Sequence, residues 1–581
     1  MKTKPHGPHA SRWGARFRSA LAGIAAAGLL SVVSTVSATP FGYAASGGGF
    51  IVTNGANLVF TIDSAGDMPS CLYKGTQLND TAKASCIASG LGAYAVTATN
   101  TGSVILITCV STNITGLTGN PIKQYYIVTN GLDNIYLATY AAAEPTVGEL
   151  RYIFRGQFNV LPNGPAYSDN NGTTGAIEST DIFGHSNGWT TSKYYGSQRA
   201  KDLTVEGATG TGVGVFMAFG NRESDMGGPF VRDIENQGDG AGSDQEIYNY
   251  MNSGHHIDLT INGVLENYRT NVLYGPYAYV FTTGSTPSVP DLTLNGEINN
   301  LGLEGYVPLG YGSGGSRGQV VLNGIANMST NPATGSLYQY YMGFANPTAQ
   351  YWSALGSNGS GECVNMKPGT YNMTIYKNEL AVWTNTATVT AGTATTFHTA
   401  TVTDPSSTAT IWRLGDWDGT PLDVPFLNAT NIMFMHPSDV RNAKWGPVPF
   451  TNGVSVAKSF AASLFRGDNT NTTIYFQLTA AQAAAAHTLN IGITTGYNNG
   501  RPAVSVNGNS LSVPGAPTQP VDRSLTTGTY RGDNDTFSWS VPAADFVTGW
   551  NSLVITVASG SSDLSPWLSA SFAYDCLELD N

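Results

Sequence analysis

Charge is scarce in this chain. Of its 581 residues only 11% are Asp, Glu, Lys or Arg, and acids outnumber bases 39 to 27, a formal net charge of -12. No basic patch interleaved with aromatics occurs, which argues against nucleic acid as a partner. Cysteine is also sparse: Cys71, Cys86, Cys109, Cys363 and Cys576 are the only five. That is too few for a disulfide scaffold, and no pair has zinc-finger spacing. An oxidising compartment permits a bridge from Cys71 or Cys86 to Cys109, and sequence does not choose the partner. Past the N-terminus no apolar run reaches membrane-spanning length; AAQAAAAHTLNIGI is broken by Gln482 and His487. Nucleophile and metal motifs are missing as well. There is no G-x-S-x-G at a strand-to-helix elbow, SGH at 253–255 is no nucleophile elbow, and H-E-x-x-H is absent. The only adjacent histidine pair, His255-His256, would point to opposite faces of a strand and could not share a metal.

What the chain does have is glycine (69), tyrosine (29, more than Lys and Arg together) and 41% hydrophobic residues. This is a folded composition, not a disordered one. The length suggests about two to four domains. Met1–Arg18 is basic, Ser19–Val33 is largely apolar, and small residues lead to Ala38. That pattern reads as a signal peptide of residues 1–38 and an extracellular protein. N-x-[ST] sequons at Asn79, Asn113, Asn171, Asn327, Asn358, Asn372, Asn428, Asn471 and Asn534 agree with a glycoprotein.

From residue 39 the chain reads as short strands bounded by Gly and Asn. GGGFIVTNGANLVFTIDSAGD is two strands around an Asn-Gly turn, and GAYAVTATNTGSVILITCV repeats the arrangement. DQEIYNYMNSG is read as a strand, because Ile247 and Tyr248 are poor helix formers. Residues 39–300 hold too many strands for one ordinary sandwich, so two stacked, extended sheets are expected. Residues 301–403 suit a small immunoglobulin-like or fibronectin-like sandwich, and residues 404–581 a jelly roll of the carbohydrate-binding kind. Short helices are expected at VAKSFAASLF and TAAQAAAA. The fold class is all-β throughout.

Against this background one stretch stands out. Ala143 to His256 gathers Glu144, Glu149, Arg151, Arg155, Lys193, Arg199, Arg222, Glu223, Arg232, Asp233, His255 and His256, with tyrosines among them. Arg151, Lys193, Arg199 and Arg232 form the one set of cations that, if gathered by the fold, would receive an acidic polysaccharide. A glycosidase needs two carboxylates across the bond, and the segment holds enough acids to keep that reading open. Its Lys, Arg, His and Tyr content suits β-elimination on a uronic acid polymer better. There a cation pairs with the uronate carboxylate and stabilises the enolate-like charge, a base removes the proton on carbon 5, and a donor assists the leaving 4-oxygen. A lysine serves as that base when neighbouring cations and burial lower its pKa.

A resemblance now enters. The text Ala143-Glu144-Pro145, Gly148-Glu149-Leu150-Arg151, Ser192-Lys193 with Tyr195, Gly227-Gly228-Pro229-Phe230 with Arg232-Asp233, and Tyr248 with Tyr250-Met251-Asn252-Ser253-Gly254-His255 closely resembles the fungal rhamnogalacturonan lyases of polysaccharide lyase family 4. It continues through Met366-Lys367-Pro368-Gly369-Thr370-Tyr371, Trp417-Asp418-Gly419, Met435-His436-Pro437-Ser438-Asp439 and Gly500-Arg501-Pro502. The resemblance implies a catalytic β-supersandwich of the galactose-mutarotase kind, then a fibronectin-like sandwich, then a jelly roll. It places the catalytic lysine on Lys193 and the catalytic histidine on His255. Arg151 falls on the arginine that meets the galacturonate carboxylate, and Tyr248 and Tyr250 on cleft tyrosines. It also implies an amino-terminal disulfide ending at Cys109, although neither Cys71 nor Cys86 sits where the pattern places the first cysteine.

The activity so implied is an endo-acting, secreted lyase on rhamnogalacturonan I, an acidic plant cell-wall polysaccharide. It would act as a monomer without an organic cofactor, membrane or nucleic acid. The alternatives are a pectin-backbone hydrolase and a non-catalytic wall-binding protein. Trp417 and Arg501 read equally as groove-lining residues or as core and surface. Asp535 and Asp575 are the weak candidates for a structural calcium.

Overall fold

The structure, a computed structural model, describes residues 40–87, 95–111, 122–142, 149–164, 173–178, 182–192, 205–219, 222–225, 244–253, 269–287, 314–332, 334–406, 409–423, 436, 438–440, 449–455, 460–516, 525, 534–565 and 568–581. Among them strands dominate, and before residue 300 no helix occurs.

The Asn-Gly turn forms as its sequence requires. Gly49–Thr53 pairs antiparallel with Leu58–Ile62. Between them Gly55 takes a positive φ of 76°, which glycine adopts without a Cβ penalty. The Asn54 side-chain oxygen accepts from the Ala56 and Leu58 amides, each at 2.9 Å, closing the turn. Alternation then sends Val52, Phe60 and Ile62 inward.

The first unit contains a five-stranded sheet from Gly42–Ser46 to Thr76–Gln77 and a seven-stranded sheet. The latter includes Val104–Ser111, Ile122–Thr129, Asn134–Ala141, Val213–Phe219 and Val272–Thr282. Their inner faces, with residues of Glu149–Gln157 and Asp244–Ser253, share one core. The opposite face of the seven-stranded sheet is covered too, around Tyr125, Ile127, Tyr136 and Leu273. This is the extended β-supersandwich.

The second unit is a sandwich of three and four strands. Gly318–Ile325 lies between Gly361–Met366 and Ala394–Ala400, and Tyr340–Asn346 and Gly369–Lys377 form the middle of the facing sheet. The third unit is two five-stranded sheets closed on a single core, with Ile491 and Leu577 from one and Phe476 and Ile555 from the other. This is the jelly-roll layout.

Several expectations change. All five cysteines stand as thiols, so no bridge joins Cys71 or Cys86 to Cys109. Cys71 lies in Ser70–Tyr73 of the five-stranded sheet and Cys109 in Val104–Ser111 of the seven-stranded one. Stacked sheets pack about 10 Å apart, whereas a disulfide needs Cα atoms within about 7 Å. Burial pushes both thiols well above their ordinary range and holds them protonated. The helix expected in VAKSFAASLF gives way at its end to a strand, Ser463–Phe465, paired with Ser571–Asp580. The alanine-rich run does form one helical turn, Ala480–Ala483, capped reciprocally by Thr479 and Gln482. The sequon asparagine Asn79 is fully buried, and its amide nitrogen donates to the Met68 carbonyl and to Ser85 Oγ. That nitrogen is closed to a glycan, whereas Asn358, Asn372 and Asn471 are exposed. No helix among the described residues is long and apolar enough to cross a membrane.

Candidate active site

The charged segment is organised on one strand, Glu149–Gln157. It pairs antiparallel with Asp244–Ser253 along its whole length, and at Tyr152 and Ile153 with Cys86–Ile87. Asp244–Ser253 is therefore a strand. Its odd positions Gln245, Ile247, Asn249 and Met251 are buried, as alternation requires.

One face of the central strand is an anchor. Leu150, Tyr152 and Phe154 are fully buried in the shared core. The Tyr152 ring lies against Tyr126, Tyr277 and Tyr279, with centroids 6.2, 6.0 and 5.7 Å away. The Tyr126 hydroxyl donates to the Gly66 carbonyl at 3.0 Å, so the Tyr152 hydroxyl donates to Tyr126 at 3.1 Å. Burying one such side chain contributes about 1.5–3 kcal/mol, and the paired hydroxyls remove the polar penalty. Burial pushes both phenols well above their ordinary value, so they remain neutral. The strand is thus rigidly based, as a platform for reacting groups must be.

The opposite face carries Arg151, Ile153 and Arg155. In register, Arg151 stands opposite Tyr250, Ile153 opposite Tyr248 and Arg155 opposite Glu246. Arg155 forms an ion pair with Glu246, which is 5% exposed. Between Leu150 and Arg151 the register shifts. Leu150 faces Asn252 while Arg151 faces Tyr250, leaving Met251 as the extra residue of a bulge. A bulge re-aims the residues around it, and here it lies beside Arg151, which is half-buried.

Two further groups sit within electrostatic reach. Cys86, opposite Ile153, is pushed up to about 11 by burial and by Asp67, against the pull of Arg155 and Arg151. Asp67 is itself pushed up to about 7, by burial and by the Asp63 carboxylate. A carboxyl that exchanges its proton near neutrality is a functional candidate, and no motif around Asp67 marks it. Its neighbour Asp63 is four residues away, on the same tight turn, whose Asp63 amide donates to the Asp67 carbonyl.

The residues named from sequence fall out as follows. Arg151, Tyr248 and Tyr250 lie on the two paired strands. For Tyr248 and Tyr250 the backbone is described and the side chains lie outside the described set, as does the side chain of Glu149. Lys193 and His255 lie outside the described residues, as do Arg199 and Arg232. Lys193 directly follows the strand Thr190–Ser192, and His255 comes two residues after Asp244–Ser253 ends.

The accessory residues resolve differently. Trp417 is core, 1% exposed, with its indole N–H donating to Glu578 at 2.5 Å. Arg501 is held by the Pro514 and Asn499 carbonyls at 2.7 and 3.0 Å. Trp417 therefore lines no groove. Asp535 and Asp575 do not form a calcium pair. Their strands, Asp535–Val541 and Ser571–Asp580, are separated by His487–Tyr497, which puts them about 10 Å apart. Asp575 instead accepts from the Asp418 and Gly419 amides at 3.2 and 2.7 Å. Among the described residues no group of three or more His, Cys, Asp or Glu side chains could hold a metal ion.

Sequence reading also missed a buried charge cluster. Glu223, 4% exposed, holds Arg317 and Lys367 of the second unit. Its place in a charged segment was visible, but its partners about 90 and 140 residues away were not.

Known proteins identify the family. Residues 41–305 match the family model of the rhamnogalacturonan lyase B N-terminal domain. Residues 316–397 match polysaccharide lyase family 4 domain II, and residues 410–579 match domain III. The chain is 38% identical to rhamnogalacturonate lyase A of Aspergillus aculeatus, over 95% of this chain and 99% of that one. It is likewise 38% identical to a probable rhamnogalacturonate lyase A of Aspergillus terreus, over 95% and 98%. The same identity relates it to rhamnogalacturonate lyase A of Emericella nidulans, over 94% and 97%. With three consecutive domain models matched and such relatives aligned end to end, this chain belongs to polysaccharide lyase family 4, the rhamnogalacturonan lyases.

Proposed function

We propose that this enzyme cleaves within the rhamnogalacturonan I backbone, at the α-1,4 bond between rhamnose and galacturonic acid, by β-elimination. The observation that carries this reading is the cross-strand placement of Arg151 opposite Tyr250, with Tyr248 two positions on. It sets a cation and two tyrosine positions on one rigidly anchored pair of strands. Likeness to rhamnogalacturonate lyases over 95% of the chain supports the substrate class.

In this mechanism the Arg151 guanidinium pairs with the galacturonate carboxylate. That pairing acidifies carbon 5 and stabilises the enolate-like charge. Lys193, as a neutral amine, removes the carbon 5 proton. The electron pair forms the 4,5 double bond, the bond from carbon 4 to the glycosidic oxygen breaks, and His255 gives the leaving oxygen its proton. The products are a shortened chain and a 4,5-unsaturated galacturonate at the new non-reducing end. Only protons and one electron pair move, so no organic cofactor is needed. A hydrolase would need a pair of available carboxylates; among the described acids of this segment, Glu246 and Glu223 are held in ion pairs.

We also place the leader's end after Ala38, with secretion following, and the domain boundaries near residues 300 and 403. The matched regions end at 305 and 397 and resume at 316 and 410, which supports the two internal boundaries.

The test follows ultraviolet absorbance while purified enzyme acts on rhamnogalacturonan I, with homogalacturonan alongside. Absorbance rising on the first polymer alone, and abolished in Lys193→Ala and His255→Ala, is the expected result. Chain shortening without absorbance would mean hydrolysis and end the proposal.

A further inference from the structure

The segment His436–Val440 belongs to the third unit, yet it is bonded to the first. Asp439 is 2% exposed, and its Oδ2 accepts from the Thr190 amide at 2.6 Å and from Thr190 Oγ1 at 3.0 Å. Thr190 Oγ1 in turn accepts from the His436 amide at 3.0 Å. The Val440 amide donates to the Gly188 carbonyl at 3.1 Å. Contact there is close: a Cβ on Gly188 would lie 2.4 Å from Val440 Cγ1. Charge-assisted bonds to a buried carboxylate are the strong kind, and here one carboxylate oxygen receives two donors from a single residue of the other unit.

The loop that presents Asp439 is itself shaped in advance. His436 is fully buried, its Nδ1 accepts from the Ser438 amide at 3.1 Å, and Ser438 Oγ lies 2.8 Å away. The Asp439 amide closes the turn onto the His436 carbonyl at 3.0 Å. Burial pushes His436 down to about 4, despite the nearby Asp468 and Asp439 carboxylates, so the ring is neutral.

The receiving strand is short. Thr190–Ser192 has three residues and pairs on one side with Ile182–Gly184. That small three-stranded sheet stands apart from the large ones. The tie to Asp439 fixes Thr190, and three residues later comes Lys193.

We infer that Asp439 is a positioning residue of the elimination: through Thr190 it holds the strand that delivers Lys193. The inference rests on Lys193 being the base. Proton abstraction requires heavy atoms within hydrogen-bond reach, and a misplacement of about 1 Å costs about 100-fold in rate. The third unit thereby contributes to turnover through Asp439, which acts by way of Thr190.

The experiment compares Asp439→Ala, Asp439→Asn, Thr190→Val and Lys193→Ala in the full chain on rhamnogalacturonan I. Rates are taken well below each variant's melting temperature and normalised to folded protein. Asp439→Ala is expected to lower kcat about 10- to 100-fold with KM changed less than about threefold. Asp439→Asn restores much of the loss, because its side-chain oxygen still accepts from the Thr190 amide. The pH–rate profile of Asp439→Ala shifts, because the base sits in altered surroundings. If Asp439→Ala does not fold, Thr190→Val carries the test, since it removes only the hydroxyl link; a fall in its kcat supports the inference. Unchanged kcat per folded molecule in Thr190→Val and Asp439→Ala overturns it. Lys193→Ala separates the two layers: full activity there removes the base assignment, whatever Asp439 does, whereas an inactive Lys193→Ala beside a fully active Asp439→Ala removes only the positioning role.

Discussion

Glu223 grips Arg317 with both carboxylate oxygens, at 2.8 and 3.2 Å, across the junction of the first and second units. Lys367 adds a third bond at 2.7 Å and the Tyr351 hydroxyl a fourth at 2.5 Å. The Glu223 carbonyl meanwhile accepts from the Gln350 amide at 2.7 Å. Arg317 and Glu223 are 5% and 3% exposed, so neither cation nor acid can fall back on water.

Glu223→Ala should therefore destabilise the protein by about 3–5 kcal/mol, because it strands a buried guanidinium. Burial alone would raise this carboxyl; Lys367 and Arg317 outweigh burial and hold it at about 2. A depressed carboxylate contributes stability that is present above its unfolded value and lost as pH falls through the folded one. Urea unfolding should show the wild-type advantage over Glu223→Gln in full at pH 6 and shrinking from about pH 4.5 toward 2. An advantage independent of pH over that range would contradict the assignment.

Arg151 has a different task and should show a different signature. Arg151→Ala is expected to lower kcat/KM on rhamnogalacturonan I by about 100- to 1,000-fold, with a melting temperature near that of the parent. Arg151→Lys recovers part of this, since a point charge replaces a planar fork. Added salt should weaken the parent's KM more than the Ala variant's. A kcat/KM within about twofold of wild type would remove Arg151 from substrate binding.

These two arginines also mark what sequence can and cannot carry. The poor helix preference of Ile247 and Tyr248 made Asp244–Ser253 legible as a strand, and alternation then put positions 248 and 250 on one face. It could not show the bulge at Arg151, because register depends on the partner strand. Turn chemistry made the Asn54-Gly55 hairpin legible. The end of VAKSFAASLF misled, because pairing with Ser571–Asp580 overrode the helical preference of an alanine-rich run. The sequence around Trp417 suits groove and core equally. Only the fold shows that it fills the second unit's core beside Cys576. The Thr190–Asp439 bond spans 249 residues, and no local pattern encodes such a contact.

The cysteines give a chemical check on the fold. With all five as thiols and none more than half-exposed, reductant should leave the melting temperature unchanged. A thiol reagent should find five groups in urea without prior reduction. Reaction in the native state should be slow, since burial pushes Cys71, Cys109 and Cys576 far above their ordinary range and leaves almost no thiolate. Finding only three thiols in urea would establish a bridge and require the first unit to repack around it.

The alkaline side of the stability profile should be governed by the junction of the second and third units. There Asp418 accepts from the Asn378 side chain at 2.8 Å, and its carbonyl accepts from the Glu379 amide at 2.8 Å. Asp423 lies within reach of Asp418, Asp416 and Asp575, and neither of its oxygens meets a donor among the described residues. Burial first, and then those three carboxylates, push Asp423 up to about 9. Burial and Asp418 likewise push Asp575 well up. A raised carboxyl contributes stability that is complete below its unfolded value and is lost as pH rises through the folded one. Stability should thus decline between about pH 4 and 9. Asp423→Asn removes the charge that must be buried at high pH. It should match the parent near pH 4 and exceed it by about 1–3 kcal/mol at pH 9. Thermal unfolding of both proteins across that range decides it: parallel curves would show that Asp423 carries no such strain, whereas curves that meet in acid and part in base would place the proton on this carboxyl.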